Sequence, residues 1–210
     1  MASREDGSTL SATESESAVA RGTSSRDPVI ETERLVLRRL DLDDAAFIFA
    51  LVNDPDWLRH IGDKNVRSLD DARAYLVNGP ITMYAKHGFG LYAVERREDG
   101  ALIGMCGLIK RDTLDDVDIG FAYLPAYRAR GYAREAAEAT LAHARDRLGM
   151  RRVVAIVSPA NHASARLLER VGLRYESAVQ PAEDRDPIDL FAIDFAQAAR
   201  RRPGEGRTPF

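Results

Sequence analysis

Between residues 28 and 195 the hydrophobic pattern changes repeatedly, and this alternation is what most constrains the fold. In some segments apolar and polar residues alternate, as in a half-buried strand, and in others apolar residues recur every three to four positions, as on one face of a helix. The segments follow one another as strand, two helices, three strands, helix, strand, helix and two strands. This order predicts a mixed α/β protein in which about seven strands form a sheet with helices on both faces.

Local signals place the ends of these elements. Asp41 is expected to cap the first helix, which runs to about Asn53, and Ser68 with Asp71 three residues on resembles a capping box that opens the next helix. The triplet Asn78-Gly79-Pro80 is expected to interrupt or kink that helix. The predicted strands are Thr32 to Leu40, Gly90 to Arg96, Ala101 to Ile109, Asp116 to Leu124, Arg152 to Val157, Tyr175 to Val179 and Ile188 to Phe195. The later helices are predicted at Tyr132 to Leu148 and His162 to Val171.

Segments at both ends differ in composition from this body. Residues 1–27 are rich in Ser, Thr and charged residues and contain no aromatic residue, so they cannot bury enough apolar surface to offset the entropy of ordering. Residues 196–210 carry basic residues, Gly and Pro. We therefore expect a disordered leader over 1–27, a single domain over 28–195 and a flexible tail over 196–210.

Composition excludes several classes of function. The chain has 30 basic and 33 acidic residues, a net charge of −3, which gives no global attraction to nucleic acid or to an anionic membrane. Its apolar stretches are far shorter than the roughly 20 residues that a membrane span needs. The single cysteine, Cys106, excludes an internal disulfide, and the four histidines are not spaced as metal ligands. The expected protein is cytoplasmic, binds no metal, and has neither nucleic acid nor membrane as a partner.

The segment that carries chemical information is a predicted strand, loop and helix between residues 118 and 135. A helix N-terminus exposes unpaired N–H groups and about half a positive charge, which disfavours a nearby arginine by about 0.3–1 kcal/mol. Three arginines nevertheless lie at this end: Arg128, Arg130 and Arg134. A bound polyanion would reverse the penalty, held by backbone N–H groups and surrounding guanidinium groups, and Gly131 would let the backbone approach it. The alternative is an exposed basic turn in which the glycine only serves a tight bend.

Several motifs occur in a fixed order along the body. They are Thr32-Glu33-Arg34-Leu35, Asp118-Ile119-Gly120-Phe121, Leu124-Pro125-x-Tyr127, Arg128-x-x-Gly131-x-Ala133, and Asn161-His162-Ala163-Ser164 followed by Gly172-Leu173. The fourth is similar to the Arg/Gln-x-x-Gly-x-Gly/Ala signature of the GNAT superfamily of N-acetyltransferases. Together they resemble its subgroup of ribosomal-protein N-terminal acetyltransferases, the RimJ/RimL type. The resemblance extends from about residue 32 to residue 195.

This resemblance implies a fold, a cofactor and a set of binding residues. The fold is a mostly antiparallel sheet that splays between its fourth and fifth strands, and the acyl donor is acetyl-CoA, with no metal. Backbone groups of the loop would bind the pyrophosphate, and the preceding strand would pair with the pantetheine amides. The residues implied are Phe121, Ala122, Tyr123, Arg128, Ala129, Arg130, Gly131, Tyr132, Ala133 and Asn161. For Asn161, which would bind the pantetheine arm, a plain helix N-cap is an equally good and compatible interpretation.

The implied reaction is acetyl transfer to a primary amine, on a protein N-terminus or a small molecule, by direct attack in a ternary complex. The enzyme would be a monomer or a homodimer. Many family members protonate the leaving thiolate with a tyrosine seven residues after the Asn, but that position here is Leu168. Ser164 is therefore the candidate acid, with water as the alternative. Asp118 is the candidate base, against a structural role for this carboxylate and a proton relay through water.

The acceptor is expected near the first helix pair, where residues 53–57 and His60 supply acidic and aromatic groups that suit a cationic amine. The missing tyrosine also leaves a rival interpretation open. In that interpretation the chain is a catalytically silent acyl-CoA-binding module that acts through a protein partner.

Overall fold

The computed structural model describes residues 26–180 and 186–198 of the chain. The predicted leader, apart from residues 26 and 27, and nearly all of the predicted tail lie outside the described residues. The strands within the described part are β1 (Pro28–Glu31), β2 (Leu35–Arg39), β3 (Leu91–Arg96), β4 (Leu102–Ile109), β5 (Asp118–Tyr123), β6 (Arg152–Val157), β7 (Arg174–Val179) and β8 (Ile188–Asp194). They form one sheet in the order β1-β2-β3-β4-β5-β6-β8-β7, in which only the β5–β6 pair is parallel. The predicted mixed α/β fold with a mostly antiparallel sheet is confirmed.

The predicted number of about seven strands is corrected to eight within the described residues. The additional strand is β1, which pairs antiparallel with β2 at the edge of the sheet. It has four residues and a register irregularity between Pro28 and Ile30, so it is too short to show the two-residue period of a strand. Its proline is acceptable because the first residue of an edge strand need not donate to a neighbour.

The helices predicted from local sequence signals are all present, and two further short helices, Pro55–His60 and Phe195–Ala198, were not predicted. Together the helices are α1 (Ala45–Val52), α2 (Pro55–His60), α3 (Leu69–Leu76), α4 (Thr82–His87), α5 (Tyr132–Asp146), α6 (His162–Arg170) and α7 (Phe195–Ala198). Ser68 caps α3 by accepting a hydrogen bond from the backbone N–H of Asp71 at 3.1 Å. The predicted interruption after α3 is a π-helical turn, Val77–Ile81, that contains Pro80. The hydroxyl of Thr82 donates to the carbonyl oxygen of Val77 at 2.7 Å within this turn.

The sheet opens between β5 and β6. The two strands share one registered pair, Asp118 with Val154, whereas β5 pairs with β4 along its whole length. Beyond residue 118 the two parallel strands therefore diverge. The predicted splay is confirmed. The sequence placed it between the fourth and fifth strands, and these are β5 and β6 in the structure because β1 was not predicted.

The two faces of the sheet carry separate hydrophobic clusters. On β5, Ile119 and Tyr123 belong to the cluster under α5 and α6, together with Ala136, while Ala122 packs against the other cluster, that of α1 to α3. This is the alternation that a strand requires. One strand thus presents successive side chains to the helix that follows it and to the helices at the N-terminal side of the domain.

Candidate active site

A loop at the open end of β5 has an unusual backbone conformation. The strand ends at Tyr123, a 3₁₀ turn covers Pro125–Tyr127, and α5 begins at Tyr132. In the loop between them Ala129 has a φ of 59° and Gly131 a φ of 82°. Left-handed residues that alternate with ordinary ones turn successive N–H groups towards one concavity, which is the geometry of an anion-binding nest.

The N-terminus of α5 is open at the same place. Gly131 is its N-cap residue, and within the described part of the chain no side-chain cap accepts the free N–H groups of the first turn. A Cβ on Gly131 would come within 3.3 Å of an Nη atom of Arg34, and the left-handed φ would itself be strained for other residues. Unfilled helix N–H groups beside a nest form a ready site for phosphate oxygens.

The loop is held from behind by the start of β2. Nη1 of Arg34 donates to the carbonyl oxygen of Arg130 at 3.2 Å, and the guanidinium stacks over the Tyr132 ring at 4.7 Å. Glu135 in the first turns of α5 accepts from Arg34 Nε at 2.7 Å and from the Thr32 hydroxyl at 2.6 Å. Burial opposes ionisation of Glu135, but these hydrogen bonds outweigh it and lower the pKa of the carboxyl group.

The sequence motifs alone predicted no role for Arg34 or Glu135. Arg34 was noted only as part of a family motif, and Glu135 only as part of the segment that precedes and enters α5. The signal that was present is that the Thr32-Glu33-Arg34 motif and the loop motif occur in the same chain. The structure shows that the first motif braces the second.

Arg128 is in the loop, but its guanidinium points elsewhere. Its Nε donates to the carbonyl oxygen of Tyr123 at 2.8 Å, and its two terminal nitrogens donate to the carboxylates of Asp54 and Asp56 at the start of α2. The expectation that this guanidinium surrounds a bound anion stays a prediction, although three of its N–H groups are donated to protein acceptors in this structure.

The other two arginines of the loop region differ from each other. Nε of Arg134 donates to Glu138 one turn along α5 at 2.8 Å. Arg130 stands in the chain between the two left-handed residues, and its guanidinium lies 6.0 Å from the centre of the Tyr127 ring. Of the three, Arg130 is the one whose position in the nest suits a charge contact with an anion.

The backbone of β5 faces two ways along the opening. The carbonyl oxygen of Tyr123 accepts from Arg128, so it faces away from β4, and the alternation of a strand gives the backbone of Phe121 the same direction. The carbonyl oxygen of Ala122 lies on the β4 side, 2.5 Å from where a Cβ on Gly104 would be. Phe121 and Tyr123 therefore present backbone groups to the opening, and Ala122 does not present its carbonyl there.

The other arm of the opening leads from β6 into α6. Asn161 caps α6, and its Oδ1 accepts from the backbone N–H of Ser164 at 3.1 Å. The structure thus shows the N-cap interpretation, and the Nδ2 group of Asn161 is still a donor for a ligand. Ser164 is half-buried at the third position of the helix. Leu168, where many family members have tyrosine, is fully buried in the core.

Asp118 lies at the point from which the strands diverge. It is 1% exposed, and its Oδ1 accepts from Nε of Arg111 at 3.0 Å. Burial raises the pKa of the Asp118 carboxyl group above its ordinary value, and Arg111 opposes this shift only in part. A carboxyl group with a raised pKa holds a proton more readily than an exposed aspartate does.

The region predicted for the acceptor is built around α2. Asp54 caps this helix by accepting from the N–H of Asp56 at 3.1 Å, and Trp57 is 5% exposed in the core. Within the described part of the chain, Nε1 of Trp57 and Nδ1 of His60 are buried and lack a hydrogen-bond partner. Asp54 and Trp57 therefore have structural roles. The two buried nitrogen atoms, one helical turn apart, have no hydrogen-bond partner among the described residues.

The described residues contain neither a cluster of metal-ligating side chains nor a helix that could span a membrane. No group of three or more His, Cys, Asp or Glu side chains is arranged to hold a metal ion. Every helix in residues 26–180 and 186–198 is too short or too polar to cross a bilayer.

The sequence matches an established family. The model of the acetyltransferase (GNAT) domain matches residues 34–174, which is more than half of the chain. The protein therefore belongs to the GNAT family of acetyltransferases. The family membership predicted from the motifs is confirmed.

Individual relatives agree with this assignment. The chain is 29% identical over 154 residues to YoaA, an uncharacterized N-acetyltransferase of Bacillus subtilis, across 73% of this chain and 86% of YoaA. Its structure matches a GNAT-family acetyltransferase from Bacillus anthracis with a TM-score of 0.66 and 25% identity, over 79% of this chain and 97% of the other. The ribosomal-protein-S5-alanine acetyltransferase of Vibrio fischeri shares the fold at a TM-score of 0.62 and 18% identity, over 78% and 94% of the two chains.

The class of the protein follows from the family. It is an acyltransferase of the N-acetyltransferase class, whose activity is acetyl transfer and whose family uses acetyl-CoA. A ribosomal-protein acetyltransferase is among the proteins that share its fold.

Proposed function

We propose that this protein transfers an acetyl group from acetyl-CoA to a primary amine, on a protein N-terminus or a small molecule, by direct attack in a ternary complex. The observation that carries the proposal is that a loop with two left-handed residues and an opening in the sheet occur at the end of the same strand, β5. One ligand with a pyrophosphate joined to an extended amide-containing arm fits both.

The loop fits the pyrophosphate. The backbone N–H groups of residues 128–133 would hold its oxygens, with Ala129 and Gly131 in the left-handed conformation that turns them inwards. Arg130 would add charge, while Tyr132 and Ala133 would donate from the first turn of α5. A side chain on Gly131 would meet Arg34, which holds the loop from behind, and would strain the left-handed backbone.

The opening fits the pantetheine arm. The backbone groups of Phe121 and Tyr123 that face away from β4 would pair with its amides, as a neighbouring strand would. The Nδ2 group of Asn161 would donate from the other side, since its Oδ1 caps α6. Ala122 is not proposed to pair with a pantetheine amide through its carbonyl, because that carbonyl faces β4. Its side chain packs towards the acceptor side.

The thioester supplies an activated acetyl group, and the protein supplies polarisation and proton transfer. Backbone N–H groups of β5 would polarise the acetyl carbonyl. The hydroxyl of Ser164 would donate a proton to the leaving thiolate, with water as the alternative donor. Asp118 would accept the proton of the amine through water, because a carboxylate that is 1% exposed does not meet the amine directly.

A covalent acetyl-cysteine route is disfavoured by the environment of the one cysteine. Cys106 is fully buried, and burial raises the pKa of its thiol to about 12. The thiolate is the nucleophilic form of cysteine, so this residue is unreactive at neutral pH. Direct attack by the amine is the simpler route.

The amine acceptor would lie on the α2 side of the sheet. Asp54 and Asp56 are paired with Arg128, so they do not supply free negative charge for a cationic amine. The Vibrio fischeri protein that shares the fold acts, by its name, on an alanine of a ribosomal protein. A protein N-terminus and a small amine both stay within the proposal, as do a cytoplasmic location and a monomeric or homodimeric state.

One observation favours a second candidate function, a catalytically silent acyl-CoA-binding module. Leu168, at the position of the usual acidic tyrosine, is buried in the core and cannot donate a proton. In that case acetyl-CoA would bind but would not be consumed when amines are added.

The two candidates are separated by measuring thiol release and binding together. Free thiol would be followed colorimetrically with acetyl-CoA and a panel of peptides with free N-termini, polyamines and amino sugars, and CoA affinity would be measured by calorimetry. Amine-dependent thiol release supports the acetyltransferase. Binding without release across the panel supports the silent module, and absence of binding contradicts both.

A further inference from the structure

The side chain of Arg128 joins three parts of the molecule that the proposed function assigns to different tasks. Its backbone opens the loop proposed to bind the pyrophosphate. Its Nε donates to the carbonyl oxygen of Tyr123 at the open end of β5, at 2.8 Å. Its terminal nitrogens donate to Asp54 and Asp56, at the start of α2 on the acceptor side.

These contacts commit the guanidinium to its present partners. Asp54 is 7% exposed, and its Oδ1 also accepts from the backbone N–H groups of Asp56 at 3.1 Å and Trp57 at 3.4 Å. If Arg128 turned towards a phosphate, this buried carboxylate would lose its cation, which is a costly state for a charge inside a protein. The geometry therefore favours a guanidinium that stays on α2 when the loop is occupied.

The position of α2 depends on this link. The helix has six residues, with Trp57 as its buried anchor, while Leu58 is 40% exposed and Ile61 45% exposed. Residues 62–67, which follow it, have no regular secondary structure. Segments with few buried contacts belong to the low-stability part of a protein, so an ion pair at one end has a large influence on where they lie.

We propose that Arg128 is a positioning residue that couples the two substrate sites. Acetyl-CoA bound to the backbone of residues 128–133 would stabilise the loop conformation described here, and in that conformation the guanidinium of Arg128 holds the start of α2 beside the acceptor. The inference rests on the proposed function of the loop and adds a dependence between the sites. Linkage then requires that an acceptor which stabilises α2 raises the affinity for acetyl-CoA by the same factor.

Hydrogen exchange measured by mass spectrometry, with and without CoA as the probe, tests the coupling. In the wild-type chain CoA is expected to slow exchange both in residues 128–133 and in α2, the latter by at least about fivefold, the lower end of typical couplings between sites. In Arg128→Gln the loop keeps its CoA-dependent protection and α2 loses it. A merely structural role would change exchange in α2 equally with and without CoA.

A second variant leaves the loop residue untouched. Asn caps a helix as well as Asp does, so Asp54→Asn preserves the start of α2 and removes one of the two carboxylate charges that Arg128 holds. It is expected to bind CoA and to reduce the CoA-dependent protection of α2, because Arg128 is then held by a neutral amide and by Asp56 alone. The matched control is Arg134→Gln, which removes an equal charge near the same end of α5 but from a residue paired with Glu138. It should retain protection in both segments.

The outcomes separate the coupling from the function of the loop. Wild-type chain that binds no CoA in calorimetry would overturn the proposed function and the coupling with it. CoA binding without slowed exchange in α2 would overturn the coupling alone. Full CoA-dependent protection of α2 in both Arg128→Gln and Asp54→Asn would do the same.

Discussion

The two ends of β5 are built in opposite ways. At its first residue the strand is joined to β6: Asp118 is in register with Val154, and the backbone N–H of Val154 donates to the carbonyl oxygen of Val117 at 3.0 Å. At its last residue the strand has no such partner on that side, and the carbonyl oxygen of Tyr123 accepts from the side chain of Arg128 instead. One end completes the sheet, and the other leaves backbone groups for a ligand.

The ion pairs at the two ends differ in the same way. At the closed end Arg152 of β6 donates to Asp116 before β5 at 2.9 Å, to Asp194 of β8 at 3.0 Å and to Glu176 of β7 at 2.6 Å. This network connects neighbouring strands of one sheet. At the open end Arg128 connects a loop to a helix on the other side of the domain. The closed end therefore joins strands within the sheet, and the open end is where the groups proposed for binding lie.

Substitution at Gly131 should have the largest effect, and it should impair CoA binding at the open end without affecting the closed end. Gly131→Asp places a negative charge in the anion nest; a unit charge about 4 Å from a phosphate costs about 4 kcal/mol at an effective dielectric constant of about 20. That corresponds to a loss of about a thousandfold in CoA affinity, measured by calorimetry. The melting temperature should fall little, because aspartate tolerates the left-handed conformation better than most residues.

The matched control for this substitution is Gly100→Asp in the β3–β4 hairpin. Gly100 has a φ of 69° and open space around its Cβ position. The control variant therefore has the same backbone strain and the same added charge, but it lies outside the loop proposed to bind the pyrophosphate. CoA affinity should stay at the wild-type value in the control. Equal affinities for CoA in the Gly131 and Gly100 variants would remove the assignment of the pyrophosphate site.

A second prediction concerns the arm of the opening that leads into α6. If Ser164 protonates the thiolate, Ser164→Ala lowers kcat by about 10²–10⁴-fold with little change in the KM for acetyl-CoA, since the interaction develops only in the transition state. Steady-state kinetics with the best amine of the panel measures both constants. Ser177→Ala on β7 is the control and should match the wild type. A fall in kcat of less than about threefold would assign the proton transfer to water.

The contrast between the two ends also shows what sequence can predict. The interruption at Pro80 and the cap at Ser68 were predicted correctly because each depends on residues within a few positions of itself. The carboxylate partners of Arg128 lie 72 and 74 residues away in the chain, and the partners of Glu135 lie 101 and 103 residues away. Ion pairs between distant segments leave no local pattern.

Short and irregular elements were missed for a related reason. The strand β1 has four residues and an irregular register, which is too little for a two-residue period to be seen. The pairing of Arg128 with α2 was not predicted, because the local excess of positive charge favoured an anion as its partner, whereas two carboxylates from α2 neutralise part of that charge. The loop itself was predicted because its glycine and arginines are contiguous.

The closed end should respond to substitution through stability and not through binding. Arg152→Gln leaves Asp116, Glu176 and Asp194 facing one another without their cation. Three partly exposed pairs at up to about 1 kcal/mol each give an expected loss of about 1–2 kcal/mol, or about 2–8 °C in melting temperature. CoA affinity should stay within about threefold of wild type.

The control is Arg145→Gln, which removes the same side chain from an exposed pair with its sequence neighbour Asp146. Thermal unfolding should hardly change in this variant. Equal melting temperatures for the two variants would mean that the Arg152 network does not hold the closed end together. A large loss of CoA affinity in Arg152→Gln would mean that the two ends are not independent.

The smallest effect is expected at Asp118 and concerns the pH dependence of stability. Its pKa in the folded protein is raised above the ordinary 3.8, mainly by burial, so the folded state binds the proton more tightly than the unfolded state. Below pH 3.8 the group is protonated in both states and its favourable contribution is fully present; as the pH rises through the raised folded pKa that contribution is lost. Asp118→Asn has no proton to lose, so its free energy of unfolding should fall less over this range.

Urea unfolding at a series of pH values measures this difference. Asn keeps an oxygen that can accept from Nε of Arg111, so the substitution removes the charge and preserves the hydrogen bond seen at 3.0 Å. Asp115→Asn, at an exposed position just before the strand, is the control and should follow the wild-type curve. If Asp118→Asn also follows the wild-type curve, the buried carboxyl group does not titrate differently in the folded state, and its case as a proton acceptor at the closed end of the opening fails with it.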